Sequence, residues 1–218
     1  LAGEFLRFRW LSRERQRKLV RIENLDAFVA AYEQGKGVLL LTGHFGNWEL
    51  AGARYSAELG LPQLYVIYHP LQNKWFDGLM HRMRTRHGTK LYTMRETSRS
   101  MLRDRHLNTA TAFIADQTPA PERAHWMTFL NQDTPVFQGT EALARKMDYP
   151  VLYISIARPR RGHYQMRVET LVDEPKNTAE GVITEIHTRR LERDIKNNPD
   201  LWLWTHRRWK HRRESISQ

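Results

Sequence analysis

The sequence contains no cysteine among its 218 residues. Disulfide bonds, thiolate metal sites and a cysteine nucleophile are therefore excluded, although this absence gives no information about the compartment. Ten histidines are scattered without the spacing of a metal-binding helix, so we predict neither a metal nor a redox cofactor. Long apolar runs are missing too: the longest has the length of a strand, whereas a membrane-spanning helix needs about 20 residues.

Acidic residues are fewer than basic ones: the sequence has 24 Asp and Glu against 35 Lys and Arg, which gives a net charge of +11. The positive charge is concentrated at the two ends. Residues 1–21 carry seven Lys or Arg against two acids, and residues 199–218 carry five against two. Such ends are typical of proteins that bind a membrane surface, an acidic protein or nucleic acid. A solvated basic surface is the alternative.

Short apolar runs alternate with amphipathic segments, which indicates one α/β domain over residues 1–218 with a largely parallel, mixed central sheet flanked by helices. We predict one amphipathic helix from Ser12 to Gln34 and a loop from Pro119 to Asp133. Strands are predicted at 38–41, 64–68, 90–94, 109–115, 151–157 and 163–170, the last two as a hairpin. In such sheets, ligands bind beyond the carboxyl ends of the strands.

The first of these strands runs into the most informative stretch, Gly43-His44-Phe45-Gly46-Asn47-Trp48-Glu49. Asn47 is suited to cap a helix, with Glu49 in the first turn. Within one helix, His44 and Glu49 would point about 140° apart, so they can meet only if His44 precedes the helix. A carboxylate beside one imidazole nitrogen would leave the other nitrogen as a general base. The alternative is a surface histidine, with Glu49 favouring the helix dipole.

Asp116 and Gln117 directly follow the predicted strand 109–115, so they could point into the same cleft as His44. A turn-capping motif is the alternative interpretation of this pair.

Arg84 lies near the end of a predicted helix over residues 73–87, between Arg82 and Arg86. Its fork of donors could bind two phosphate oxygens at once. Equally, a basic residue at a helix end favours the helix dipole.

The ending from Trp202 to Lys210 mixes tryptophans with cations. One interpretation is nucleic acid binding, in which bases stack on the tryptophans and the cations contact phosphates. The same residues suit a membrane interface, or tryptophans packed on the core with only the cations exposed. The residues alone leave these three alternatives open.

The stretch from His44 to Glu49 resembles the His-x4-Asp/Glu block of the lysophospholipid acyltransferase superfamily. In its Glu form, with Gly-Asn-Trp before the glutamate, it resembles more specifically the bacterial lipid A late acyltransferases. The likeness extends, in the family's order, through Asp116-Gln117, Thr134 to Ala144 and Trp202 to Lys210. It implies a glycerolipid-acyltransferase-like fold. It also implies an O-acyltransferase that moves a fatty acyl chain from acyl carrier protein, or from coenzyme A, to a hydroxyl of a lipid A precursor. Another membrane lipid is the alternative acceptor.

The resemblance implies His44 as the general base, with Glu49 orienting it and backbone N–H groups near Gly46 and Asn47 as an oxyanion site. The residues expected to bind the acceptor are Phe45, Gly46, Asn47, Arg84, Asp116, Gln117, Gly139 and Thr140. The stretch around Gly139 resembles the F-P-E-G-T block of glycerol-phosphate acyltransferases but has Gln138 in place of Glu. This departure argues against a glycerol-3-phosphate acceptor, and a structural helix cap is the alternative role for Thr140.

The resembling family usually carries an N-terminal membrane anchor, and because the sequence opens on Leu1 rather than Met, we expect a fragment. We expect it at the cytoplasmic face of the bacterial inner membrane, held peripherally to anionic lipid by its basic ends. The arginines expected to take part are Arg207, Arg208, Arg212 and Arg213. A basic nucleic-acid-binding domain is the competing hypothesis, but it gives no account of His44, Glu49 and Asp116 all falling at strand ends.

Overall fold

The computed structural model of the chain describes residues 11–213 and is organised by a central sheet of seven strands. Its strands are β1 Val20–Glu23, β2 Val38–Thr42, β3 Leu64–Tyr68, β4 Lys90–Thr93, β5 Ala110–Ile114, β8 Val151–Arg160 and β9 His163–Val172. Their order across the sheet is β1-β9-β8-β2-β5-β3-β4. A separate two-stranded sheet pairs β6 Ala124–Phe129 with β7 Gln132–Phe137.

Seven α-helices flank the sheet in the described part of the chain. They are α1 Arg13–Leu19, α2 Leu25–Tyr32, α3 Trp48–Ala57, α4 Lys74–Thr85, α5 Thr97–Arg103, α6 Gly139–Met147 and α7 Val182–Asn197. Short 3₁₀ turns occur at Arg105–Leu107, Pro121–Arg123, Pro175–Asn177 and Pro199–Leu201. Within residues 11–213, no helix is long and apolar enough to cross a bilayer.

Most neighbouring strands run parallel, and only the β8–β9 hairpin is antiparallel within the large sheet. Every residue of β2 is buried. An unbroken apolar run is what a strand covered on both faces requires. The predicted α/β fold with a largely parallel, mixed sheet is therefore confirmed.

The predicted helix from Ser12 to Gln34 is wrong, because β1 interrupts it. Val20–Glu23 pairs in parallel with β9, and Asn24 then adopts a left-handed conformation with φ of 56° before α2 begins. Val20 is 1% exposed. Pairing with the edge of the sheet therefore overrides the helical pattern of the sequence.

The predicted loop from Pro119 to Asp133 is also wrong, since most of it belongs to the β6–β7 hairpin. Leu130 and Asn131 connect the strands with φ values of 50° and 61°. This is the geometry of a two-residue hairpin turn, which usually takes Asn-Gly or Asp-Gly. The sequence does not predict this turn, because its first position is leucine rather than Asn or Asp.

The sheet places two strand ends side by side. β2 pairs in parallel with β5 so that Thr42 lies opposite Ile114. The chain segments that follow, with His44 and Asp116, therefore leave the sheet at the same edge, which we call the carboxyl edge. Alternate residues of β2 face opposite sides: Leu40 packs with α3, whereas Leu39 packs with α7.

Candidate active site

His44 and Asp116 meet beyond the carboxyl edge. The Nδ1 atom of His44 lies 2.5 Å from Oδ1 of Asp116. The His44 side chain is 15% exposed and that of Asp116 is 1% exposed. With Nδ1 donating to the carboxylate, Nε2 is left with its lone pair, 3.4 Å from the side-chain nitrogen of Gln117. The imidazole is therefore fixed in the tautomer that a general base requires.

Three donors converge on the Asp116 carboxylate. Besides His44, Trp202 donates from Nε1 at 2.9 Å and Arg208 from Nη2 at 2.6 Å. Burial alone would raise the pKa of Asp116, but the hydrogen bond and charge of His44 and the charge of Arg208 hold it well below its ordinary value. The carboxylate is therefore an anion at neutral pH, available to stabilise an imidazolium.

Arg208 is a buried cation, 3% exposed, that ties the ending of the chain to this site. It also donates to the backbone carbonyls of Asp116 and Leu203 and lies over the Trp202 ring at 3.8 Å from its centroid. The N–H of Leu203 donates in turn to the carbonyl of His44. The predicted packing of Trp202 is thus confirmed, whereas the predicted exposure of Arg208 to lipid is wrong.

Glu49 does not hydrogen-bond the imidazole in this structure, which corrects the expected His44–Glu49 contact. Its carboxylate binds Arg84 instead, with oxygens 2.5 Å from Nη2 and 3.0 Å from Nε. Glu49 is the second residue of α3 and its side chain reaches α4. Burial disfavours the charged form of Arg84, but the hydrogen bond that Arg84 donates to Glu49 raises the pKa of the guanidinium. Arg84 is thus half of an ion pair.

The turn between β2 and α3 is held by its own backbone. Gly46 adopts φ of 59°, and its N–H donates to the carbonyl of Leu201. This N–H is therefore occupied, which corrects its predicted part in an oxyanion site. Asn47 caps α3 as predicted, since its side chain accepts from the N–H of Leu50. Phe45 is 3% exposed in the core, so its predicted contact with an acceptor is not supported.

Gly139 and Thr140 begin α6, but the helix-cap alternative is wrong for Thr140: the cap position is Gln138, no side chain caps the helix, and the Thr140 hydroxyl is buried without a partner. The next residue, Glu141, accepts from the N–H groups of Gly181 and Thr184 and thereby joins α6 to the start of α7. Neither Gly139 nor Thr140 lines the two cavities described below. Their predicted contact with an acceptor finds no support in this geometry.

An apolar pocket lies between the sheet and α3. It is lined by side chains of β2, β3, β5, β8 and β9 on one side, and of α3 and the end of α4 on the other. Its empty volume, including its open mouth, is ≈ 1020 Å³. Trp48, Glu49 and Arg84 belong to its lining, and the Trp48 ring meets the His44 ring edge-on at 5.0 Å. The pocket therefore adjoins the imidazole.

His187 on α7 lies on the opposite face of the sheet, in a smaller cavity beside Asp116 and Gln117. Its Nε2 atom is buried without a partner, while the ring hydrogen-bonds the backbone of Thr42. Burial lowers the pKa of His187 from 6.5 to about 4. This neutral imidazole supports the end of β2, two residues before His44.

Sequence reasoning missed three residues of the site: Trp202, Arg208 and His187. The first two lie 86 and 92 residues from Asp116 along the chain. No local pattern could have shown these contacts. Only the resemblance of the ending to a known family indicated that this segment mattered.

Comparison with known proteins identifies one family. The profile of the family described as "Bacterial lipid A biosynthesis acyltransferase" matches residues 2–211. The chain is 26% identical over 200 residues to the lipid A biosynthesis palmitoleoyltransferase of Escherichia coli (strain K12), and the same values hold for a lipid A biosynthesis acyltransferase of Shigella flexneri. Both alignments cover 91% of this chain but only 64% of the relative.

The chain belongs to the bacterial lipid A biosynthesis acyltransferase family, because that family's profile matches nearly its whole length. The resemblance noted in the sequence is thereby confirmed.

Replacing Arg208 with methionine, which keeps its bulk but removes its charge, should lower the free energy of unfolding by about 3–5 kcal/mol. The substitution leaves a buried carboxylate without its cation. The matched control is Arg213→Met, since Arg213 and its partner Asp133 are 55% and 48% exposed and such pairs contribute about 0–1 kcal/mol. Urea unfolding measures both variants. Equal losses would contradict the structural role of Arg208.

Glu49→Gln and Arg84→Met should each destabilise the protein by about 2 kcal/mol, because each leaves a largely buried charge unpaired. The double variant should lose less than the sum of the two single losses, with a coupling of about 1–3 kcal/mol. A double-mutant cycle by urea unfolding measures this coupling. Strict additivity would show that the two side chains do not pair in solution.

His187 makes stability depend on pH. Because burial lowers its pKa, the His187 imidazole is protonated near pH 6.5 in the unfolded chain but only near pH 4 in the folded chain. Stability should therefore fall as pH falls through this window. Between pH 7.5 and pH 5 the wild type should lose about 2 kcal/mol more than His187→Asn, whose amide can keep the bond to Thr42. Identical pH profiles would contradict a buried neutral imidazole.

Proposed function

We propose that this chain transfers a fatty acyl group from the thioester of acyl carrier protein to a hydroxyl of a lipid A precursor. One observation carries the proposal: the imidazole of His44, held on Asp116 by Nδ1, contacts Trp48, which lines the apolar pocket. A base next to space for a hydrocarbon chain is what acyl transfer to a hydroxyl requires.

His44 acts as the general base. Its Nε2 takes the proton of the acceptor hydroxyl while that oxygen attacks the thioester carbonyl and forms the new C–O bond. Collapse of the tetrahedral intermediate breaks the C–S bond, and the proton passes from Nε2 to the leaving thiolate. Asp116 stabilises the transient imidazolium while it keeps its hydrogen bonds from His44, Trp202 and Arg208.

The developing oxyanion needs N–H donors. The first N–H groups of a helix have no partner within the helix. Asn47 caps the N–H of Leu50, which leaves those of Trp48 and Glu49 at the start of α3. We place the oxyanion site there, because the bond from Gly46 to Leu201 removes the donor that the sequence indicated.

Glu49 and Arg84 serve together at the pocket mouth. Glu49 occupies the Nε and Nη2 groups of Arg84, which leaves Nη1 for an oxygen of the acceptor's phosphate. In this proposal Glu49 is a positioning residue that acts through Arg84 rather than through the imidazole. Gln117, within reach of Nε2, completes the acceptor side of the site.

The transferred acyl chain lies in the apolar pocket between the sheet and α3. The name of the Escherichia coli relative, a palmitoleoyltransferase, supports a fatty acyl chain as the group that is moved. The basic chain, with its net charge of +11, suits an acidic carrier protein and a phosphorylated lipid. We place the reaction at the cytoplasmic face of the bacterial inner membrane, where this domain works peripherally.

His44→Ala should lower turnover by about 10²–10⁴-fold, the usual contribution of a positioned general base. Asp116→Asn should cause a comparable loss, because an amide can hold the wrong tautomer and cannot stabilise the imidazolium. The measurement is release of thiol from acyl carrier protein thioester in the presence of a lipid A precursor, with mass spectrometry of the lipid product.

The control is Lys36→Gln, whose pair with Asp148 lies before the amino end of β2, at the edge of the sheet opposite the proposed site. It should keep wild-type turnover. Near-normal activity of His44→Ala would show that the mechanism is wrong, and thiol release without acylated lipid would show that the acceptor is wrong.

A further inference from the structure

Four large apolar side chains lie exposed at the carboxyl edge of the sheet, beyond β3 and β4. Leu71 is 38% exposed, Trp75 70%, Phe76 39% and Met94 53%. We call this group the apolar rim. Side chains of this size usually pack inside a protein, and a cluster of them on the surface marks an interaction site.

The backbone holds the apolar rim together. Met94 follows β4, and its N–H donates to the carbonyl of Tyr68, the last residue of β3. The N–H of Leu71 donates to the carboxylate of Asp77, which folds the loop after β3 onto the first turn of α4. The four side chains are therefore presented by an ordered surface.

The buried residues of α4 are not Trp75 and Phe76. Helix α4 is anchored by Leu79 and Met80, which are 6% and 8% exposed and lie one turn further along. The first turn of α4 carries Trp75 and Phe76, whose side chains are exposed to solvent. Their exposure is thus separate from the packing that stabilises the helix.

The apolar rim lies next to the proposed active site. β3 is two strands from β2 in the sheet, which corresponds to about 10 Å. Arg84, which lies in the last turn of the helix that carries Trp75 in its first, lines the apolar pocket together with Trp48. Helix α4 therefore connects the rim to the pocket, although no residue of the rim lines it.

We propose that the apolar rim inserts into the interface of an anionic lipid bilayer and thereby turns the pocket mouth toward the lipid. Tryptophan favours the depth of the headgroups, and Trp75 has the cation Lys74 beside it. Lys74 is exposed within the rim itself and complements an anionic headgroup, whereas Arg84, further along the helix, is paired with Glu49. The proposal rests on the proposed function only in naming lipid as the partner.

This surface differs from the one that charge distribution alone indicated. In the ending of the chain, Arg208 is buried on Asp116 and Arg213 pairs with Asp133. Contact through the apolar rim should depend less on salt than contact through a basic tail, because its main contribution is hydrophobic.

Cosedimentation with vesicles of phosphatidylcholine and phosphatidylglycerol (3:1) tests the proposal. Trp75→Ser with Phe76→Ser should weaken binding by about tenfold or more, since two large apolar side chains no longer enter the interface. The control pair is Leu59→Ser with Leu107→Ser, whose side chains are 72% and 47% exposed near the opposite edge of the sheet. The control should bind as the wild type does.

Fluorescence locates the contact. Brominated lipids should quench the wild-type emission, and Trp75→Phe should remove most of that quenching while binding persists. Unchanged quenching in Trp75→Phe would place the contact elsewhere and overturn the proposal. Equal weakening in the test and control pairs would also overturn it.

Activity separates this proposal from the proposed function. With detergent-dispersed substrates, the Trp75→Ser and Phe76→Ser variant should turn over normally, whereas on vesicles it should be slow. Loss of activity on dispersed substrate would assign these residues to the site and contradict the bilayer role. If even the wild type fails to transfer acyl groups, the vesicle binding and quenching experiments still decide the proposal.

Discussion

The structure around the proposed site depends on one constraint: a carboxylate that is 1% exposed must remain charged. Burying an ion away from water is costly unless donors surround it. Asp116 obtains its donors from two distant parts of the chain: His44 after β2, and Trp202 and Arg208 in the ending. Together with the backbone bonds Gly46–Leu201 and Leu203–His44, these contacts hold the ending over the carboxyl edge.

The same arrangement separates the two faces of the sheet. On the α3 face, the apolar pocket has a Glu49–Arg84 ion pair at its mouth. On the α7 face, His187 supports the end of β2. His44 stands between them at the edge, where its bond to Asp116 fixes the ring and Nε2 lies 3.4 Å from the side-chain nitrogen of Gln117. A rigid base beside an apolar pocket fits the family to which the chain belongs.

The sequence predicts the fold well where local signals and burial agree. β2 and β5 are apolar runs, and because parallel neighbours end at one edge, His44 and Asp116 were expected in one cleft. Side-chain pairing could not be read in the same way: Glu49 has the right chemistry and spacing for His44, yet its direction on α3 takes it to Arg84. β1 and the β6–β7 turn were missed because tertiary pairing overrides their local patterns.

The central claim is that Asp116 holds the Nδ1 proton of His44, and proton NMR of the imidazole tests it most directly. A proton shared with a carboxylate at 2.5 Å should resonate far downfield and exchange slowly with water. We expect this signal in the wild type and in Glu49→Gln, and its loss in Asp116→Asn and His44→Gln. A signal that persists in Asp116→Asn but disappears in Glu49→Gln would contradict the account.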